Sequence, residues 1–422
     1  MRRSKGNLAL SLPLSNLYKP SIVSTLSVRF AKDRICLRLR SMSDCMNDDL
    51  VIEILARLPV ASLLRFKSVC KPWYYLITSP SFVAKHFNQS VTNSKRNGSK
   101  LLVGSKLLVR VHDDNDHLPK SCLNFEGRYL LFNDDDKFSD EYSEMKSQFK
   151  LLFGYYRVVG SCNGLLCLAD DLFNGLPQII IWNPSTRKSA ILPRAFVPLP
   201  LRPHMCVYGF GANPITFEYK VVRIKYETGV MGHPYILPPK VEIYSQGTRF
   251  WRDVSSAVPP PYYLVKYVWS QAFVDGVVHW LAYDACEEGA LRNLIMLFNM
   301  ASESFSEFKL PPTLAYQCRK SLSVKTFRQS LAVICNGPSD EGGCCIWVMK
   351  EYGVAESWTK LFTSNLLGPP NKTLGFRKNG EVLIAAENAL ASYAPGSKML
   401  ATTGIRGTSR ACFVDPFVET LF

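Results

Sequence analysis

Five aromatic residues, Trp182, Tyr244, Phe298, Trp347 and Tyr393, recur along the chain at intervals of 62, 54, 49 and 46 residues. Each lies in an apolar run followed by a polar turn and a second run, as in Ile180-Ile-Trp182 before Ile191-Leu-Pro193 and Ile346-Trp347 before Trp358. A second pattern alternates with it, an apolar strand, Asn-Gly or Asp-Gly, and another apolar strand, at Asn163-Gly164, Asp275-Gly276 and Asn379-Gly380. Those dipeptides favour the positive φ angles of a type I′ turn, whose twist suits paired strands. Two hairpins in roughly 45–50 residues make one four-stranded unit, the period of a propeller blade. Residues 101–422 are therefore expected to form about six or seven blades, and the ragged spacing predicts an irregular propeller.

The chain before this repeat follows a helical rule. Asn47 can cap a helix, Asp48 and Asp49 suit its positive end, and Leu50, Val51, Ile54, Leu55 and Leu58 follow at helical spacing. Pro59 stops that run. A short amphipathic stretch around Leu63-Leu64-Arg65-Phe66 comes next, then Lys71-Pro72-Trp73 with proline in a first turn, and Ser79-Pro80-Ser81 restarts a last one. Four short helices in about forty residues cannot fill a stable core alone, so the module at 45–87 is expected to need a partner. Residues 88–100 are polar and read as a linker.

The charge of +15 raises the question of a nucleic-acid or membrane partner, and its location answers it. Residues 1–40 hold nine basic side chains and one acid, so more than half of the excess sits there. The remainder shows no basic stripe interleaved with aromatics, and neither nucleic acid nor membrane is an expected partner. Three readings of segment 1–44 stand open: a basic disordered tail, a transit-like segment, or an untranslated extension preceding a start at Met42 or Met46. Thirteen scattered cysteines without a Cys-x-x-Cys pair suit a reducing compartment, cytoplasm or nucleus, and no zinc site.

With these residues in hand the chain resembles a known family. The run 48–73, from Asp48-Asp-Leu50 through Leu58-Pro59 to Cys70-Lys-Pro-Trp73, resembles a plant F-box, and segments 160–168, 181–192, 208–224, 275–282 and 346–362 are similar to the kelch-like F-box-associated domain. The resemblance implies an α+β multidomain chain, a small helical F-box followed by an all-β, kelch-like propeller. It also implies a substrate receptor of an SCF-type cullin-RING ubiquitin ligase, docked on a Skp-type adaptor. The positions matching the motif are Leu50, Ile54, Leu55, Leu58, Pro59, Leu63, Leu64, Val69, Cys70 and Trp73. One departure stands at its start, where Met46-Asn47 replaces the usual Leu-Pro and puts the tightness of adaptor binding in question.

Other constellations point to no catalysis, cofactor or metal. Gly160-Ser-Cys162-Asn-Gly164 has nucleophile-elbow spacing, but an elbow leads into a helix and here Leu165–Leu168 continues as a strand. Residues 113–116 and 134–136 are acidic yet lack the glycine and final acid of a calcium loop, and read as solvated loops. Gly209-Phe-Gly211 lacks the third glycine of a dinucleotide fingerprint and reads as a strand end and turn. His279 is expected within a blade strand. The expected role is a non-catalytic receptor that holds its target at loop tips on one propeller end, with the target unidentified. The alternatives are an adaptor-bound scaffold outside a ligase, or an enzyme on a kelch-like propeller.

Overall fold

The computed structural model describes residues 47–95, 106–112, 127–134, 142–145, 156–170, 178–195, 204–227, 236–255, 263–264, 271–285, 291–318, 321–336, 344–364, 372–386, 389–406 and 413–422. Segment 1–44, Met46, linker residues 96–100 and the acidic stretch 113–116 lie outside them.

Four helices form the first module: α1 (Asp48–Ala56), α2 (Val60–Phe66), α3 (Lys71–Thr78) and α4 (Pro80–Lys95). Asn47 caps α1, its Oδ1 accepting from the Asp49 N–H at 3.0 Å, a bond that a proline there could not supply. Pro59 is the residue that enters α2, and Pro72 lies in the first turn of α3. Ser79 Oγ accepts from the Phe82 N–H at 3.3 Å to open α4. That helix runs past residue 87 to Lys95, through a stretch whose polarity predicts a linker. Polar composition alone does not separate a loop from a partly solvated helix, and the buried Ser90 satisfies its hydroxyl on the His86 carbonyl at 2.9 Å.

The rest is six antiparallel sheets, which fixes the blade number at six. The second blade is Arg157–Cys162, Leu165–Asp170, Gln178–Asn183 and Lys188–Ile191, and the third is His204–Ala212, Tyr219–Glu227, Ile236–Ser245 and Trp251–Asp253. The fourth pairs Gln271–Val274 and Tyr263–Leu264 with one edge of Val277–Ala285, followed by Leu291–Asn299 and Phe305–Lys309. The fifth is Leu322–Phe327, Ser330–Asn336, Cys344–Met349 and Trp358–Ser364, and the sixth Lys372–Phe376, Val382–Ala386, Ala389–Ala394 and Met399–Arg406. The first blade closes the ring: Phe413–Phe417, from the end of the chain, pairs with Lys106–His112 and so joins Gly127–Asn133 and Tyr142–Met145.

One apolar cluster fills each seam between neighbouring blades, six seams in all. The periodic aromatics all lie on the third strand of their blades, facing these seams. Trp182, 1 % exposed, meets Tyr129 of the first blade edge-on at 5.0 Å, and Phe298 is fully buried between blades three and four. Phe132 is the corresponding residue of the first blade, 50 residues before Trp182. The glycines of Gly209-Phe-Gly211 lie in a strand, each beneath an aromatic ring of the fourth blade, Trp280 and Phe273 respectively. His279 is in a blade strand, fully buried.

Two of the three Asn-Gly and Asp-Gly turns are two-residue hairpins of the predicted kind, closed by Cys162 opposite Leu165 and Val274 opposite Val277, with φ of 49° and 74° at Asn163-Gly164 and 47° and 79° at Asp275-Gly276. The third differs. Phe376 pairs with Val382, and Gly380 alone has positive φ, at 91°, behind a turn in which its N–H bonds the Arg377 carbonyl at 3.0 Å. This is a bulged hairpin, in which glycine supplies the single left-handed residue. Asp134 also departs from the solvated reading: it is buried, bonded to Arg377 of the sixth blade.

Candidate functional site

The ten motif positions separate into three groups. Leu55 and Leu63 are 2 % and 0 % exposed and form the module's own core with Ala56, Val60, Ile77 and Phe82. Both side chains point into the module, and this is where the motif residues divide between fold and surface. Leu58, Leu64 and Trp73 pack at the edge of that core and are half-buried, as are Pro59, Val69 and Cys70. Leu50 and Ile54 are 54 % and 50 % exposed, and their spacing of four residues sets them on one face of α1. On α3, Tyr74 and Tyr75 are also exposed and meet edge-on at 5.7 Å. The sequence motif ends at Trp73, and the signal for this pair is two tyrosines directly after it on a helix whose buried residue is Ile77.

Polar contacts brace this face from behind. Glu53 forms an ion pair with Lys85 of α4 at 2.6 Å and with Arg57 at 3.7 Å, and the hydrogen bond from Lys85 holds its carboxyl below the usual range. His86 is buried, and its Nε2 donates to the Leu58 carbonyl at 2.9 Å. Burial lowers its pKa, so the neutral ring ties α4 to the end of α1.

The module also has a partner within its own chain. Leu421 sits in the same apolar cluster as Leu55 and Leu63, and the Phe422 ring lies 5.5 Å from Phe87 of α4. The need for extra apolar cover that follows from four short helices is met in part by the C-terminal residues.

A concave region lies at the mouth of the central channel, a cavity of ≈ 170 Å³ lined by inner-strand residues including Ser161, Gln271, Lys325 and Asp415. Ser161 Oγ donates to Asp415, whose carboxyl burial pushes up to about 6. Gln271 bonds both the N–H and the carbonyl of Phe210 at 2.8 Å, closing the gap between blades three and four as a strand would. Cys162, central in the elbow-like motif, is buried and its thiol is pushed up to about 12, chiefly by burial. A protonated thiol on a strand that turns into another strand is no nucleophile. No helix among the described residues is long and apolar enough to cross a membrane.

Comparison with known proteins agrees with this architecture. The family described as F-box associated beta propeller domain matches residues 130–410, and the F-box domain matches residues 43–95. An F-box/kelch-repeat protein of Arabidopsis thaliana is 26% identical over 346 residues, 82% of this chain and 86% of its own length. The F-box protein CPR1 of the same plant is 28% identical over 332 residues, covering 75% of this chain and 72% of that one. A further Arabidopsis F-box protein is 26% identical over 336 residues, 76% and 72% of the two chains. With the helical module, the six-bladed ring and both family matches in register along it, the chain belongs to the plant F-box proteins that carry an F-box-associated β-propeller.

Proposed function

We propose that this protein is the target-binding subunit of an SCF-type cullin-RING ubiquitin ligase. Its helical module docks on a Skp-type adaptor through the exposed Leu50 and Ile54 and the half-buried residues around Leu58, Pro59 and Leu64. The observation that carries this is the exposure of Leu50 and Ile54 on one helical face of a module whose other leucines are buried or half-buried. Each such side chain, once covered, contributes about 1.5–3 kcal/mol before the costs of association. The target binds at the propeller end turned away from the module, because the other end is occupied by the module and the C-terminal residues. No catalytic group is required of a subunit whose work is to raise the effective concentration of target near the ubiquitin-charged enzyme.

Co-purification tests the reading. Adaptor and cullin should both come down with the wild-type chain, and Leu50→Asp with Ile54→Asp should release both. Absence of adaptor from the wild type sinks the proposal. Adaptor without cullin favours a scaffold outside a ligase.

A further inference from the structure

The last strand of the ring does not stop when the ring is closed. Phe413–Phe417 is the inner strand of the first blade, and residues 418–422 leave it beside the Asn163-Gly164 hairpin of the second blade. Three features fix this segment to the propeller. Thr420, 0 % exposed, donates from Oγ1 to the Asn163 carbonyl at 3.0 Å. The buried Asn183 donates from Nδ2 to the carbonyls of Thr420 at 3.1 Å and Phe422 at 2.8 Å. Lys106 pairs with Glu419 at 3.1 Å.

Two side chains of the same segment then face the helices. Leu421 enters the core of the module, and the Phe422 ring lies between Phe87 of α4 at 5.5 Å and Tyr219 of the third blade at 6.2 Å. Five residues thus carry buried hydrogen bonds to one module and apolar burial in the other. A like-charge approach also exists between the modules, Lys188 of the second blade lowering the Lys67 pKa after burial does, and it does nothing to hold them together.

We propose that residues 418–422 are a clasp that makes helical module and propeller one rigid arm, with Leu421 and Phe422 as positioning residues and Asn183 as their anchor. The clasp fixes the attitude of anything bound to the propeller relative to anything docked on α1. Its consequence for ubiquitin transfer rests on the receptor reading above, while the mechanical claim stands without it.

The test uses the full chain, wild type beside Leu421→Asp, Asn183→Ala and Phe422→Tyr. Asn183→Ala cuts the anchor from the propeller side and leaves every module residue in place, so it reads the clasp even where Leu421→Asp unfolds the helices. Small-angle scattering should show a larger maximum dimension for Asn183→Ala. Amide exchange in α4 should quicken about ten-fold or more, the scale set by uncovering one leucine-sized side chain, and Phe422→Tyr should match the wild type. In a reconstituted ligase, ubiquitin on the chain's own lysines should spread to more sites in Asn183→Ala at unchanged adaptor capture. Scattering and exchange identical to wild type in both Leu421→Asp and Asn183→Ala overturn the clasp. Failure of the wild type to capture adaptor removes the receptor reading instead, and leaves scattering and exchange to decide the clasp.

Discussion

Arg377 and Asp134 form a buried ion pair across the seam where the last blade meets the first, Arg377 Nε donating to Asp134 Oδ1 at 2.9 Å with both side chains 3 % exposed. The second Asp134 oxygen accepts from the Lys378 N–H at 2.8 Å, and Arg377 Nη1 reaches Glu381 at 2.6 Å. Removing Arg377 strands the Asp134 carboxylate away from water, and breaking such a buried pair costs about 3–5 kcal/mol. Arg377→Ala should therefore lower the unfolding free energy from urea melts by that amount, seen as a lower midpoint. Arg377→Lys should recover little of it, since an ammonium cannot serve two carboxylates through a planar fork. An unchanged midpoint in Arg377→Ala would show that the pair does not hold the ring closed.

Leu63 and Ile54 belong to one sequence motif but to different physical environments, and substitution should separate them. Leu55→Ala and Leu63→Ala empty core positions and should cost about 2–5 kcal/mol in thermal or urea melts. Leu50→Asp and Ile54→Asp change exposed positions and should leave stability within about 0.5 kcal/mol. Their effect should fall on adaptor capture. The partition is wrong should Leu50→Asp melt the chain, or should Leu63→Ala release adaptor at full stability.

Much of this fold is legible in the sequence because its strongest signals are local. Aromatics about one blade apart mark the third strands, and Asn163-Gly164 and Asp275-Gly276 mark hairpins, since these dipeptides favour the type I′ turn, whose positive φ at both residues matches the strand twist. What escapes is non-local. Phe132 keeps the blade spacing, but no local hairpin signal announces the first blade, whose inner strand comes from the far end of the chain. The burial of Asp134 depends on an arginine 243 residues away. Outer hairpins whose sequence signals only a polar turn hold Arg187, Glu303 and Lys398 in left-handed conformations, at a local backbone cost. The same separation explains the candidate site. The motif names its positions together, but division into core and surface is set by how the helices pack, and by Leu421, a residue no helical period could include.

His279 gives the chain an acid-sensitive point. The ring is fully buried, its Nδ1 donating to the Ala272 carbonyl at 3.2 Å and its Nε2 accepting from the Tyr352 hydroxyl at 2.9 Å. Burial lowers its pKa to about 4 from 6.5, so between those values the unfolded chain binds the proton and the folded one does not. Its contribution is complete above pH 6.5 and is lost as pH falls through 4, about 3 kcal/mol across the window. His279→Gln should flatten that part of the stability–pH curve whatever it does to stability at neutral pH. A slope between pH 4 and 6.5 identical to wild type would assign the acid sensitivity elsewhere.

Gly164 and Gly276 occupy equivalent turns, yet only one touches the C-terminal segment. Both have positive φ, 74° and 79°, so alanine is strained at either. A Cβ at Gly164 would also stand 2.2 Å from the Val418 carbonyl oxygen, whereas at Gly276 it would meet the Pro214 ring at 2.6 Å. Left-handed strain and overpacking together predict a loss of about 2–4 kcal/mol for either alanine. Their local effects should differ. Gly164→Ala displaces the backbone that leads into Leu421, so amide exchange in α4 should quicken, and Gly276→Ala should leave α4 protected at equal global destabilisation. Equal exchange in α4 for the two variants, measured at matched stability, would mean that the Asn163-Gly164 hairpin takes no part in holding the helices.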